Sequence, residues 1–190
     1  MAKKGKLKKY QIEKFDYYKT INDYYIKNNR AYISVSVASI NDIISKYSVK
    51  NDEILNRDFM HYIETNASYI PDEYNLTLEI CNHKFSEEEK VVIKKVIKNH
   101  YKISLYNKRN DLKISKRKSR ILFLSGLGIL LLYAILIYTD FLNVLKEIFS
   151  LLFCFTMWEA ADTVLFHHDE LNESILDLEI LSNMEIIFTE

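Results

Sequence analysis

The chain has 190 residues, and its 26 Lys and Arg are matched by 26 Asp and Glu, so the formal net charge is zero. That length suits one modest domain with an anchor, and 3 Gly with a single Pro, Pro71, disfavour an all-β fold built on tight turns and favour long helices. The 2 cysteines fall in different kinds of sequence, Cys81 in polar and Cys154 in apolar surroundings, so no intrachain disulfide is expected and a reducing compartment fits. The charges are unevenly spread: the N-terminus and the segment before residue 120 are basic, and the C-terminus after Phe166 is acidic. Such asymmetry points to membrane orientation and an anionic partner.

The opening MAKKGKLKKY carries five lysines and no following apolar run, so no secretory signal peptide is expected. Residues 8–28 place Ile12, Phe15, Tyr18 or Tyr17, Ile21 and Tyr25 at mixed three- and four-residue spacing, which predicts an amphipathic helix, although the many tyrosines also suit a strand. This arm either packs on the domain or contacts nucleic acid or lipid headgroups through its lysines and tyrosines.

AYISVSV at 31–37 alternates Ala31, Ile33, Val35 and Val37 against Tyr32, Ser34 and Ser36, as a half-buried strand does. SINDIISKY follows as a short helix capped by Ser39 or Asn41. A second helix starts after Asn56 with Phe59, Tyr62 and Ile63 inward, and Pro71 closes that region. NLTLEIC at 75–81 alternates again, with Leu76, Leu78 and Ile80 on one face. These elements predict a small β-α-β unit, which needs a third strand or an oligomer to be stable; the C-terminal NMEIIFTE can supply the strand.

Ser86 opens a long helix. SEEE is a capping box with Ser86 as N-cap and Glu89 reaching back, and Glu87 and Glu88 complement the positive helix end. Val92, Val96 and Ile103 lie near a heptad seam, with Ile93, Ile97 and Leu105 beside it. No Gly or Pro interrupts before Gly126. The expectation is one helix running as a stalk into a membrane; two helices hinged near Asn107–Asn110 are the alternative. A polar helix of that length needs a partner, either other copies or the C-terminal helix.

RILFLSGLGILLLYAILIYT, from Arg120 to Thr139, has no Asp, Glu, Lys or Arg after Arg120. Nineteen residues at about 1.5 Å each match a hydrocarbon core of about 30 Å, and a helix pairs every backbone polar group internally. A soluble core helix of this length normally keeps one polar face. Lys108, Arg109, Lys113, Lys116, Arg117, Lys118 and Arg120 precede the span and orient it with this end cytoplasmic; Lys113, Lys116, Arg117, Lys118 and Arg120 are candidate contacts for anionic lipid or an anionic ligand.

The second apolar segment, 141–166, has Lys146 and Glu147 early and Glu159 and Asp162 late. The short turn before it makes it the return half of a hairpin, or else a re-entrant or interfacial helix. A full second pass places both termini in the cytosol and Trp158 at the inner interface. Glu159 and Asp162, three apart on one helical face, either ring the inner mouth of an oligomeric pore or sit outside the hydrocarbon, paired with Arg117, Lys118 or Arg120. Ser150, Cys154 and Met157 share a three-to-four spacing, and Ser150 is the further candidate pore residue. After the span, Leu171, Ile175, Leu178 and Leu181 form an apolar seam, and this acidic helix is expected to pack on the basic stalk.

No glycine-rich phosphate loop, nucleophile elbow or HExxH is present. Adjacent His167 and His168 point apart on a helix, Cys81 and His83 supply only two ligands, and His61 and His100 are isolated, so no metal site and no cofactor is expected.

NLTLEI, SEEEKVVIKKVIKNHY, the basic run before the first span, and WEAADTVLF with the helix and strand after it resemble small bacterial two-pass membrane proteins over roughly residues 30–190. Proteins of this general plan are similar to transmembrane effectors of Hailong-type antiphage defence, in which an oligonucleotide controls a membrane channel. In similar sequences the segment after the second span is basic; here HHDELNES is acidic, so no contact residue there carries over. The expectation is an α+β cytosolic domain, a small sheet with helices, on a stalk helix leading into a two-helix transmembrane hairpin, with a C-terminal helix and strand returning to the domain. The segments are an N-terminal arm to residue 29, the domain at 30–85, the stalk at 86–119, the hairpin at 120–166 with spans near 121–139 and 145–165, and the return at 167–190. The expected role is that of a non-enzymatic, homo-oligomeric effector or channel of the bacterial inner membrane, or of a membrane-anchored adaptor for a cytosolic partner.

Overall fold

A computed structural model of the chain describes residues 25–27, 30–82, 85–137 and 143–189. The elements in order are β1 (Ile26–Lys27), β2 (Arg30–Ser36), α1 (Ile40–Ile43), α2 (Arg57–Ser68), β3 (Asn75–Cys81), α3 (Glu87–Ile137), α4 (Asn143–Asp162), a π-helical turn (Thr163–His167), α5 (His168–Asn183) and β4 (Glu185–Thr189). They form two compact units. One takes the chain up to Leu105 and from Asp177 onward, and the other is Tyr106–Leu176. The N-terminal arm predicted over 8–28 lies outside the described residues up to position 24, and Ile26–Lys27 is strand.

In the first unit the sheet order is β1-β2-β3-β4, with β2, β3 and β4 parallel and β1 antiparallel to β2. Parallel neighbours need crossovers, and here α1 and α2 link β2 to β3 while α3 to α5 link β3 to β4. The period-2 alternation sets the register: Ile33 stands beside Leu78, which stands beside Ile186, and Ala31 beside Leu76. All five side chains are buried. Phe59 and Ile63 of α2, Ile93, Val96, Ile97 and Tyr101 of α3, and Leu181 and Met184 complete this core. Each large aliphatic chain so enclosed contributes roughly 1.5–3 kcal/mol relative to exposure.

The helix starts follow the capping chemistry. Asp42 accepts from Ser39 N at 2.8 Å at the head of α1. Asn56 Oδ1 accepts from Asp58 N at 2.9 Å for α2. At α3 the capping box closes both ways, Ser86 N donating to Glu89 Oε2 at 2.8 Å and Glu89 N to Ser86 Oγ at 3.2 Å. Two inward assignments need correction. Tyr62 is exposed, its hydroxyl donating to Ser34 O at 3.1 Å, so its ring is held at the rim while Phe59 and Ile63 enter the core. Ile103 is also exposed. The buried seam runs through Ile93, Ile97, Tyr101 and Leu105 at four-residue steps, on a different side of α3 from Ile103.

The helix α3 is continuous through Asn107–Asn110, with no hinge there. In the second unit two helical runs, that of α3 and Val144–Asn183, are long and apolar enough to cross a membrane. Only 6% and 11% of their most apolar stretches are buried. Leu124, Leu131, Ile135, Leu151, Phe155 and Trp158 are all exposed. Residues 138–142, the expected turn of the hairpin, lie outside the described residues.

Candidate membrane hairpin

Apart from Leu171, the buried side chains of the second unit are small: Ser115 and Ser119 on α3, Ala160 on α4 and Thr163 at the start of the π-helical turn. In lipid, apolar side chains gain little by leaving one apolar phase for another, so helices associate through close packing of small residues. At Gly126 the two helices approach closely. A Cβ there would lie 2.9 Å from Met157 Sδ and 3.7 Å from Thr156 Cγ2, whereas one at Gly128 would meet nothing within 4 Å. The hydroxyls are satisfied on their own helices: Ser119 Oγ donates to Lys116 O at 3.3 Å, Thr156 Oγ1 to Leu152 O at 2.7 Å and Thr163 Oγ1 to Glu159 O at 2.8 Å. Ser115 Oγ and His168 Nε2 are buried without a partner among the described residues.

Of the candidate pore residues, Glu159 and Asp162 are exposed about 60° apart on α4, and Ser150 stands on another side of it. Lys118 Nζ lies 3.3 Å from Glu159 Oε1, so the acid is paired with the first helix. Asp162 is two residues past buried Ala160, about 200° round the helix, and is exposed. Ser150 is half-buried nine residues before Glu159, on a different face. The basic run also divides. Arg117 and Lys118 line a shallow groove with Ile114, Ile121 and Leu122. Lys113, Lys116 and Arg120 are exposed on the side of the helix away from Lys118, with Arg120 Nε donating to Lys116 O at 3.2 Å. On α5 the apolar seam buries Leu171 and Leu181, and Asp169 and Glu173 are exposed.

In the first unit the polar chemistry is sparse. Burial raises the Glu64 carboxyl above its ordinary value, with a weaker opposing effect from His61, and lowers the His100 imidazole. The buried Tyr101 hydroxyl has no hydrogen-bond partner among the described residues; burial, and then the nearby Glu64 charge, hold it firmly protonated. Arg30 bridges β2 to Glu185 of β4, and Ser34 Oγ donates to Glu79 Oε2 at 2.5 Å. Both cysteines are free thiols, Cys81 Sγ lying 3.4 Å from Thr189 Oγ1. Among the described residues no three His, Cys, Asp or Glu side chains converge as a metal site, and His83 lies outside them.

Sequence reasoning did not find the Gly126–Met157 contact or the π-helical turn. The signal for the first was a glycine in an otherwise bulky apolar run; the second follows the back-bonded Thr163, which no spacing rule marks. Comparison of the chain with protein-family models, with curated proteins and with solved structures finds no match.

Proposed function

We propose that the protein is a two-pass, homo-oligomeric component of the bacterial inner membrane, without enzymatic activity, that acts as an effector or channel under the control of its cytosolic sheet unit. The observation that carries this is the hairpin: two long apolar runs, almost entirely unburied, held against each other by a small-residue seam at Gly126. Exposed apolar surface of that extent has lipid as its natural solvent. The pairing of β3 with β4 supports an even number of crossings, because Cys81 and Thr189 are neighbours in one sheet on either side of the hairpin in sequence. The basic run orients that shared side to the cytoplasm. An anionic signal, such as the oligonucleotide of the effectors the sequence resembles, would act from there.

Recording from purified protein in planar bilayers tests this. The expected result is a conductance altered by Glu159→Gln, since the Lys118 partner loses its counter-charge. No conductance, together with full function after an unrelated hairpin replaces residues 120–166, would leave the alternative, an anchored adaptor for a cytosolic partner.

A further inference from the structure

The two helices of the hairpin carry opposite charge on their outward faces. On α3, Arg109, Lys113, Lys116 and Arg120 recur at i, i+4, i+7 and i+11, a single stripe about 16 Å long. It lies away from the packed seam, because Ser115, Ser119 and Gly126 occupy another side of the helix. On the return run, Asp162 stands opposite buried Ala160, and Asp169 and Glu173 stand opposite buried Leu171. Lys113, Lys116, Asp162, Asp169 and Glu173 are exposed, and none has an ion-pair partner among the described residues.

The levels of these charges match. The close approach of Gly126 to Thr156 and Met157 sets the antiparallel register. A residue a few steps before Gly126 therefore stands at the height of one as many steps after Thr156. Asp162 falls at the height of Arg120, and Asp169 falls near that of Lys113. Copies inserted in one direction are related by rotation about the membrane normal, which preserves height. A face that is basic on one side of the hairpin and acidic at the same height on the other is complementary to its own neighbour in such an arrangement.

Resting on the reading of the chain as a membrane oligomer, we propose that copies of this chain associate head to tail in a closed ring, the Lys113–Lys116 face of one hairpin docking on the Asp162–Asp169 face of the next. Single exposed pairs contribute little. Their part is to select the neighbour and its register, while wrong pairings are opposed by like charge.

The test uses the full chain in detergent, with mass measured by light scattering over a dilution series. Lys113→Glu with Lys116→Glu cancels the net charge of the basic stripe and sets two acids against the acidic face; Asp162→Lys with Asp169→Lys leaves only Glu173 acidic on the other face and sets two lysines against the stripe. Each double variant is expected to dissociate at a protein concentration about tenfold higher or more than the parent. The quadruple variant, with all four charges reversed, is expected to recover the parent mass. A parent oligomer unmoved by either double reversal, or a quadruple variant that stays dissociated, overturns the ring contact and leaves the proposed function standing. The second result is also what a stripe serving only anionic lipid would give. A monomeric parent overturns both. Should a reversal variant fail to fold, chains with Lys113→Cys mixed with chains with Asp169→Cys, each lacking Cys81 and Cys154, give the same answer: a mixed disulfide dimer supports the contact and its absence overturns it.

Discussion

Replacing Gly126 probes a close approach of the two helices in the hairpin. An alanine Cβ would sit 2.9 Å from Met157 Sδ and 3.3 Å from its Cγ. A thioether on an unbranched chain can swing aside by the few tenths of an ångström required, so Gly126→Ala should cost under about 1 kcal/mol. Gly126→Ile leaves no such escape, because the added branch also meets Thr156 Cγ2, which the Cβ alone already approaches to 3.7 Å. Overpacking of this kind costs about 1–3 kcal/mol. Gly128→Ile is the control: its Cβ meets nothing within 4 Å. Loss of a flexible glycine should make it neutral or stabilising by roughly 0.5 kcal/mol. Titration of the detergent-solubilised protein with SDS, followed by helicity and by the emission of Trp158, the only tryptophan, reads the difference. Met157→Ala in the Gly126→Ile background should restore about half of the loss or more, since it removes the atoms that are struck. Equal effects at Gly126 and Gly128, or no rescue by Met157→Ala, would refute the packing described for the seam.

Three other outcomes can be checked in the sheet unit. Ser86→Ala removes the hydroxyl half of the capping box and should lower stability by about 1 kcal/mol, visible as faster hydrogen exchange in the first turn of α3. Ile80→Ala, in the buried centre of β3, should cost about 2–5 kcal/mol, read as a lowered thermal midpoint of the strand signal. Two groups give opposite pH slopes. Because burial raises the folded-state pKa of Glu64 above 4.5, its contribution is present at lower pH and lost as pH rises from 4.5 through the raised value. Because burial lowers that of His100 below 6.5, the stability it permits is present above pH 6.5 and lost as pH falls through the depressed value. Glu64→Gln should remove the first slope and leave the second, with thermal midpoints measured from about pH 4 to pH 8 as the readout.

Local rules carried far in this chain. The capping boxes, the two alternating strands, the third strand at the C-terminus and the uninterrupted α3 depend on neighbours within a few residues or on a strict period. Each was readable from Ser86–Glu89, AYISVSV, NLTLEI, NMEIIFTE and the absence of Gly or Pro before Gly126. What escaped depends on a partner remote in sequence. Tyr62 looks like a core residue until its hydroxyl finds Ser34 O. Ile103 fits a heptad, yet the side of α3 that meets the sheet core carries Tyr101 instead. The sequence left Glu159 with two readings, a free ring or a pair with a basic residue of the first helix. The two helices' mutual register pairs it with Lys118.

The placement of β4 also sets an order on biosynthesis. β3 is central in the sheet, but its neighbour on one side begins at Glu185, about a hundred residues after β3 ends at Cys81. At roughly 5–20 residues per second, synthesis leaves that flank of β3 unpaired for some 5–20 s. During this interval both apolar helices emerge from the ribosome. An exposed edge of NLTLEIC, apolar on alternate positions, is the segment of this protein most in need of shielding while the chain is incomplete. A nascent chain stalled before Glu185 should therefore be the species that chaperones and proteases engage.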